Sequence, residues 1–397
     1  MSGDNTLLSG LRVIEMSHVM AAPTCGLMLS DMGADVIKVE RIPGGDDVRK
    51  LAPFVDDIST PFTMMNRNKR GIGLNMRTDE GKAALKKLIL GADVFIENYR
   101  LGAMDHYGVS YDQVKAENPK LIYCSISGYG RTGPYAAKGG FDLVAQGMSG
   151  LMSITGEGSG RPPVKVGAPV TDITAGCLAA MGILAALVKR KETGEGQYVD
   201  TSLFEAGIMH TYWQSAIYFG SGEVPQAMGS AHPLMAPYQA FQTKDGWINI
   251  GSANQGLWGK LTELLGAPEL ADDPRFVEPK DRMENLSELV EALTGYFITE
   301  TTENWMDRLE SMGIPAGPVL DIAQMTSDPQ ALARDMVQDA APTKVIGHPV
   351  KYSATPTSIQ RTAPALGEHT EEVLAEAGYP EAEIAALIES GAAGRGA

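Results

Sequence analysis

The sequence predicts an α/β fold on a parallel sheet, and three observations carry the prediction. A strand–helix–strand unit opens the chain, the unit recurs, and a long helix of small apolar residues follows. Residues 11–16 read as a short buried strand and residues 21–29 as a helix rich in small side chains. Gly33-Ala34-Asp35 turns the chain into a second strand at 36–40. An amphipathic helix at 79–90 leads to a strand at 92–96, and residues 120–126 form another. Residues 173–190 form the small-residue helix, through Cys177, Ala179, Ala180, Gly182, Ala185 and Ala186. It closes on Lys189, Arg190 and Lys191, cations that suit the dipole at a helix C-terminus. A Gly-rich turn then enters a strand at 198–202.

The character changes after about Gly220, where Gly, Ser, Ala and Pro mark a linker over 221–236. Strands at 238–243 and 247–250 flank Lys244-Asp245-Gly246 and predict a hairpin. Helices at 285–298 and 302–311 follow, so residues 237–324 read as a smaller α+β domain beside a larger one in 1–220. Beyond Asp328 come extended segments near Val345 and at 350–352, then acidic helices at 368–377 and 380–389. The last seven residues are expected to fray.

Length and composition agree with two domains. A chain of 397 residues exceeds the roughly 250–300 at which one core usually splits. With 44% hydrophobic and 21% charged residues it is globular rather than disordered or fibrous. A net charge of −16 argues against nucleic acid as a partner, since phosphate neutralisation needs a basic face. Arg67, Lys69 and Arg70 cluster, with Arg41, Arg49 and Lys50 just before; such a cluster reads as a solvated face or, less often, an anion site. Three dispersed cysteines and scattered histidines suggest neither disulfide framework nor metal site. Residues 1–5 lack an apolar signal core, and no run approaches the ~18 apolar residues of a membrane span, so a cytoplasmic protein without a membrane partner is expected.

No G-x-G-x-x-G follows the first strand, whose loop reads Ser17-His18-Val19-Met20-Ala21-Ala22-Pro23. The sheet is therefore Rossmann-like without the fingerprint of a nicotinamide or flavin enzyme. A ligand crevice is still expected at the carboxyl ends of the strands, where Arg41 and Glu97-Asn98-Tyr99-Arg100 follow. Each offers an arginine fork suited to phosphate, a surface arginine near a turn being as common.

Asp172 has the most chemical setting. A loop through Pro169 leads in and the small-residue helix leads out. A carboxylate there is either a helix cap or an accessible nucleophile beside free backbone N–H groups, and capping is the commoner role.

Several stretches, in order and nearly end to end, resemble class III coenzyme A transferases, the CaiB/BaiF group that includes formyl-CoA and carnitine–CoA transferases. They are Gly33 to Glu40, Asn68-Lys69-Arg70, Ala92 to Asn98, Phe141 to Gln146, the Asp172 segment, Lys191 to Gln197, Gly313 to Val319 and Leu366 to Thr370. The resemblance implies a large domain built from both chain ends, with residues 325–397 returning to it, and an interlocked homodimer. It implies transfer of CoA from an acyl-CoA to a free carboxylic acid, with no permanent cofactor and no metal. Asp172 falls at the family's catalytic aspartate, which forms an acyl anhydride and then a CoA thioester.

The same resemblance carries CoA contacts onto Arg41, Leu74, Arg77, Asn98, Tyr99, Arg100, Lys138 and Asp142, and onto Met20 and Ala21 near the reacting centre. His106 stands where formyl-CoA transferase has arginine, Met20 where it has glutamine, and Gly139 where it has lysine. Met228 to Pro233 replaces that enzyme's tetraglycine loop and looks more like succinyl-CoA-linked dicarboxylate members, with His232 in the loop. Succinyl-CoA and a small dicarboxylate are the expected substrates. The alternative is the related α-methylacyl-CoA racemase, which needs a His-Asp pair where this chain has Phe141-Asp142. Phe141 cannot move a proton, which favours the transferase.

Overall fold

The computed structural model describes residues 6–158 and 160–394. The chain divides into two compact units, Met1–Leu151 with Val166–Tyr212 and Pro329–Ala397, and Met152–Lys165 with Trp213–Asp328.

The first unit is built on strands β1 (Arg12–Met16), β2 (Asp35–Arg41), β5 (Lys69–Leu74), β6 (Val94–Glu97), β7 (Ile122–Ser127) and β8 (Tyr198–Ser202). A two-residue hairpin, β3 (Phe54–Val55) and β4 (Ile58–Ser59), lies outside the main sheet. The sheet order is β5-β2-β1-β6-β7-β8, every pair parallel. Successive side chains alternate faces: Ile14, Ile37 and Phe95 enter one apolar layer, Val13, Val36 and Val94 the other. Helix α3 (Asp79–Leu90) and the C-terminal helices Thr370–Glu376 and Glu381–Glu389 cover the first layer; α1 (Ala21–Asp31) and α7 (Val170–Thr193) cover the second. The strand order reverses at β1, with β2 and β5 on one side and β6, β7 and β8 on the other, so a crevice opens beyond Met16 and Glu97.

Two expectations fail here for physical reasons. Arg67, Lys69 and Arg70 form neither a solvated face nor an anion site, whereas Arg41 and Lys50 are exposed. Arg67 pairs with Asp31 at 2.6 Å, Lys69 with Glu15 at 2.8 Å, and Arg70 with Asp35, Glu372 and Glu376, and all three cations are buried. The C-terminus is tied down: Ala393 bridges to Leu74, Gly394 N–H donates to the Gly73 carbonyl at 3.1 Å, and Ala392 is fully buried. Fraying is thus contradicted for residues 391–394, and 395–397 lie outside the described residues, as do 1–5.

Helix α7 is, by length and composition, apolar enough to cross a membrane. The sequence suggested no such run, yet Ile173, Leu178, Ile183, Leu184, Leu187 and Val188 carry most of the apolarity, spaced by small Ala, Gly and Cys residues. Those small residues let α7 pack into the core: Thr171, Ala175, Gly176, Ala179, Ala180, Ile183 and Ala186 are buried.

The second unit holds a three-stranded antiparallel sheet of β9 (Tyr238–Gln242), β10 (Trp247–Gly251) and β11 (Ala316–Pro318) over Trp258, Phe276, Phe297 and Trp305. The hairpin turn residue Asp245 accepts the Thr302 N–H at 2.8 Å, starting helix Thr302–Ser311. This unit takes in the expected linker and most of α9 (Tyr212–Ser221), an aromatic helix with no buried residue and hence no buried-face periodicity to read.

Candidate active site

A cleft of about 450 Å³ opens at the carboxyl ends of β1 and β6. The β1–α1 loop contributes His18, Val19 and Met20, and Ala21 starts α1. Asn98, Tyr99 and Arg100 follow β6, and Lys138 to Phe141 precede α6 (Asp142–Met148). Asp172 lines the same cleft.

Helix α7 begins at Val170, earlier than the sequence suggested, so Asp172 is its third residue and not its cap. The N-cap position is Pro169, which has no capping side chain. Capping comes from elsewhere. Asp142 Oδ1 accepts the Thr171 backbone N–H at 3.0 Å and the Thr171 hydroxyl at 2.8 Å. Its Oδ2 accepts Gln146 Nε2 at 2.7 Å, while Gln146 Oε1 accepts the Val166 N–H at 2.8 Å. Asp172 itself has no side-chain hydrogen bond or ion pair among the described residues. Burial, and secondarily the charge of Asp142, push its carboxyl up to about 7. A desolvated carboxylate without hydrogen-bond donors is a better nucleophile than a capping one.

Gly176, one turn after Asp172, sets how close α7 comes to α1. A Cβ there would lie 2.5 Å from the Ala21 carbonyl oxygen and 2.6 Å from Thr24 Cβ. Only glycine lets the first turn of α1 stand this close to the second turn of α7.

Asn98 orders the facing loop by gripping the His18 backbone at both its polar groups: Oδ1 accepts His18 N–H at 3.1 Å and Nδ2 donates to His18 O at 2.9 Å. The His18 ring meets Tyr99 edge-on at 5.0 Å, and burial lowers its pKa. Val19 follows with φ of 65°.

Three cations border the cleft. Arg131 is committed, donating to Glu97 Oε1 at 2.7 Å and to the Tyr99 carbonyl at 2.8 Å. Arg100 lies against Gly139, where an added Cβ would sit 3.7 Å from its Nη2. Lys138 Nζ lies 3.8 Å above the Tyr135 ring. Among the described residues neither Arg100 nor Lys138 forms a side-chain ion pair, so both stay available to an anion.

Of the expected contacts, Met20, Ala21, Asn98, Tyr99, Arg100 and Lys138 therefore come together with Asp172. The rest do not line this cleft. Asp142 has both oxygens engaged in ordering α7. Arg41 faces a small neighbouring pocket with His18, Asp46 and Tyr99, bonded to Asp47 and to the Gly45 carbonyl. The Leu74 side chain is fully buried, so it cannot reach a ligand in this cleft. Arg77 is exposed in the turn after β5, and His106 is exposed at the end of α4 (Ala103–His106) against Tyr107. His232 belongs to the second unit, where Trp213 and Tyr238 flank its ring. Sequence reasoning missed Val19 and Arg131; the glycines at 128, 130 and 133 were the available sign of a specialised loop around Arg131.

The sequence profile of CoA-transferase family III matches residues 8–370. The succinate–glutarate CoA-transferase of Agrobacterium fabrum is 39% identical over 381 residues, covering 93% of this chain and 95% of that one. The succinyl-CoA:mesaconate CoA-transferase of Haloarcula hispanica is 39% identical over 389 residues, covering 94% and 96%. A solved CaiB/BaiF family protein from Brucella suis has the same fold, with a TM-score of 0.86 and 40% identity over 94% of this chain and 100% of that one. On this sequence match and this shared architecture, the chain belongs to CoA-transferase family III and is a CoA-transferase.

Proposed function

We propose that the chain transfers CoA from succinyl-CoA to a small dicarboxylate, with Asp172 as the covalent relay. The observation that carries the assignment is that Asp142 caps α7, which leaves the Asp172 carboxylate unpaired in the cleft. The substrate reading rests on the names of the Agrobacterium and Haloarcula relatives, both of which join succinate to a second dicarboxylate.

In the proposed cycle an Asp172 oxygen attacks the thioester carbon; the C–S bond breaks and CoA leaves as thiolate, giving a succinyl–aspartyl anhydride. The thiolate attacks the aspartyl carbonyl, a C–O bond breaks, and succinate leaves. The acceptor carboxylate then attacks the aspartyl–CoA thioester and expels the thiolate, which takes the acceptor's acyl group and regenerates Asp172. No net proton moves, so no proton-transfer group is needed. The start of α1 suits this chemistry: its first N–H groups have no side-chain cap, and its dipole favours developing negative charge. Arg100 and Lys138 supply positive charge for the phosphates of CoA, with Asn98 and Tyr99 bordering the nucleotide.

The proposal includes a homodimer. In the first unit Met181 and Val188 of α7 are 61% and 63% exposed, and in the second Phe219 of α9 is 83% exposed. Apolar surface of this kind is what a second copy would cover. Sedimentation at micromolar concentration should find twice the 42.3 kDa chain mass.

Asp172→Asn tests the nucleophile. CoA binding should persist and turnover with succinyl-CoA should disappear. In the wild-type enzyme hydroxylamine should convert the Asp172 side chain to a hydroxamate during turnover, read by mass spectrometry of that peptide. An active Asp172→Asn enzyme sinks the reading.

A further inference from the structure

We infer that Lys38 and Asp46 are positioning residues for CoA transfer, which hold Val19 in a left-handed backbone conformation and so fix the entry into α1 beside Asp172. The inference rests on the reading of the cleft as the place of transfer.

Val19 is the anomaly from which it starts. Left-handed φ is rare for a β-branched residue and carries a steric cost. Such a conformation persists only when the surroundings over-determine it. Packing of its own side chain does not do so, because Val19 is 42% exposed. The hold comes through the backbone. Val19 N–H donates to Asp46 Oδ1 at 3.2 Å, and Asn98 fixes the preceding peptide.

Asp46 is held in turn. Its Oδ2 lies 3.0 Å from Lys38 Nζ, and both side chains are fully buried. Lys38 also donates to the Ser17 carbonyl at 3.3 Å, two residues before Val19. It approaches Glu15 Oε1 at 3.4 Å, and Glu15 Oε2 lies 2.8 Å from Lys69 Nζ. Lys69 donates to the Pro23 carbonyl at 3.0 Å, inside the first turn of α1. One chain of buried charges therefore touches the loop before Val19, the N–H of Val19 and the helix that Val19 leads into. Gly26 makes room for it, since a Cβ there would lie 1.7 Å from Glu15 Oε2.

Stability alone is a poor reason for this arrangement. Replacing buried ion pairs with apolar side chains of similar size is often neutral or stabilising. What apolar replacements cannot do is accept the Val19 N–H or bind the Ser17 carbonyl. In a dinucleotide-binding sheet the loop after the first strand is glycine-rich and reaches such backbone geometry freely. Here valine stands in that loop, and the Lys38–Asp46 pair supplies the constraint.

The test is steady-state kinetics with succinyl-CoA and glutarate on Val19→Pro, Val19→Gly, Asp46→Ala and the double variant Val19→Gly/Asp46→Ala. Proline locks φ near −65° and removes the N–H. Val19→Pro should lose at least about thirtyfold in kcat while unfolding cooperatively, a loss of the size expected for an ångström of misplacement at a reacting centre. Val19→Gly, which reaches positive φ without strain, should lose no more than about threefold. Asp46→Ala should lose about tenfold or more, and Val19→Gly in that background should recover most of it. A purely structural role for Asp46 would lower stability without such rescue. Wild-type kcat in Val19→Pro overturns the inference, as does failure of glycine to rescue Asp46→Ala. If Asp46→Ala does not fold, the contrast between proline and glycine at 19 decides alone. An enzyme that Asp172→Asn inactivates but Val19→Pro does not would sink this inference and leave the nucleophile standing; an active Asp172→Asn enzyme would sink the nucleophile instead.

Discussion

Asp142 Oδ1 accepts both the backbone N–H of Thr171, at 3.0 Å, and its hydroxyl, at 2.8 Å. A carboxylate on α6 thereby does for α7 what the first turn of α7 does not do for itself. The neighbouring Asp172 has an acceptor's chemistry but, among the described residues, no donor to use it on. The charge of Asp142 adds to burial in making Asp172 reluctant to ionise. Capping and electrostatic tuning are two effects of one side chain, and they separate by substitution.

The carboxylate form of Asp172 is the one that attacks, so kcat/KM should rise with pH and level off above the neutral range, with its midpoint near 7. Asp142→Asn keeps an amide oxygen to accept from Thr171 and removes the negative charge. The midpoint should move to lower pH in that variant, because one of the two causes of the elevation has gone. A midpoint that stays put or climbs would assign the elevation to burial alone. The measurement is a pH profile of kcat/KM for succinyl-CoA in both enzymes.

A carboxyl whose pKa is raised by folding weakens the fold as pH increases. Below the unfolded value, near 3.8, both states are protonated and nothing is lost; the deficit grows as pH rises through the folded value of about 7. Asp172→Asn should therefore stabilise the protein, by about 1–3 kcal/mol at pH 8 and by less at pH 5. Thermal or denaturant unfolding at the two pH values checks this. A variant less stable than wild type at pH 8 would mean that the carboxylate has a structural partner after all.

Much of the sheet was legible because apolar runs bounded by turn residues mark buried parallel strands: β1, β2, β6 and β8 emerged within two residues of their bounds. Strand β5 did not. Its sequence, Lys69-Arg70-Gly71-Ile72-Gly73-Leu74, looks like surface, and its cations are buried only because Glu15, Asp35, Glu372 and Glu376 arrive from distant parts of the chain. The site divides the same way. Asp172 stood out, yet local sequence left cap and nucleophile open, because the deciding partner is on another helix. Val19 carried no signal at all, since nothing in a valine announces positive φ.

Among the described residues Arg100 and Lys138 border the cleft without ion pairs, whereas Arg131 is bound to buried Glu97. Arg100→Gln and Lys138→Gln should each raise KM for succinyl-CoA by roughly threefold to thirtyfold with smaller effects on kcat, and the increase should shrink at high salt. Arg131→Gln should instead lower stability by about 3–5 kcal/mol, because it strands the Glu97 carboxylate. Equal KM effects at all three positions, with no change in stability, would contradict this division.

Gly176→Ala tests how tightly the starts of α1 and α7 are coupled. The added methyl would lie 2.5 Å from the Ala21 carbonyl oxygen, a backbone atom that cannot rotate away. Either α1 and α7 move apart by several tenths of an ångström or the first turn of α1 distorts, and both shift Ala21 relative to Asp172. In an unobstructed helix alanine in place of glycine stabilises by about 1 kcal/mol, so a destabilised variant reports the clash directly. We expect a loss of roughly 1–3 kcal/mol in unfolding free energy and at least about tenfold in kcat. Gly182→Ala, six residues further along α7, is the comparison: its nearest neighbour is a Val199 methyl at 2.9 Å, a side-chain atom with more freedom to yield. It should lose stability without a matching loss of kcat. If the two variants lose kcat equally, the spacing of α1 and α7 at Asp172 has no special part in transfer.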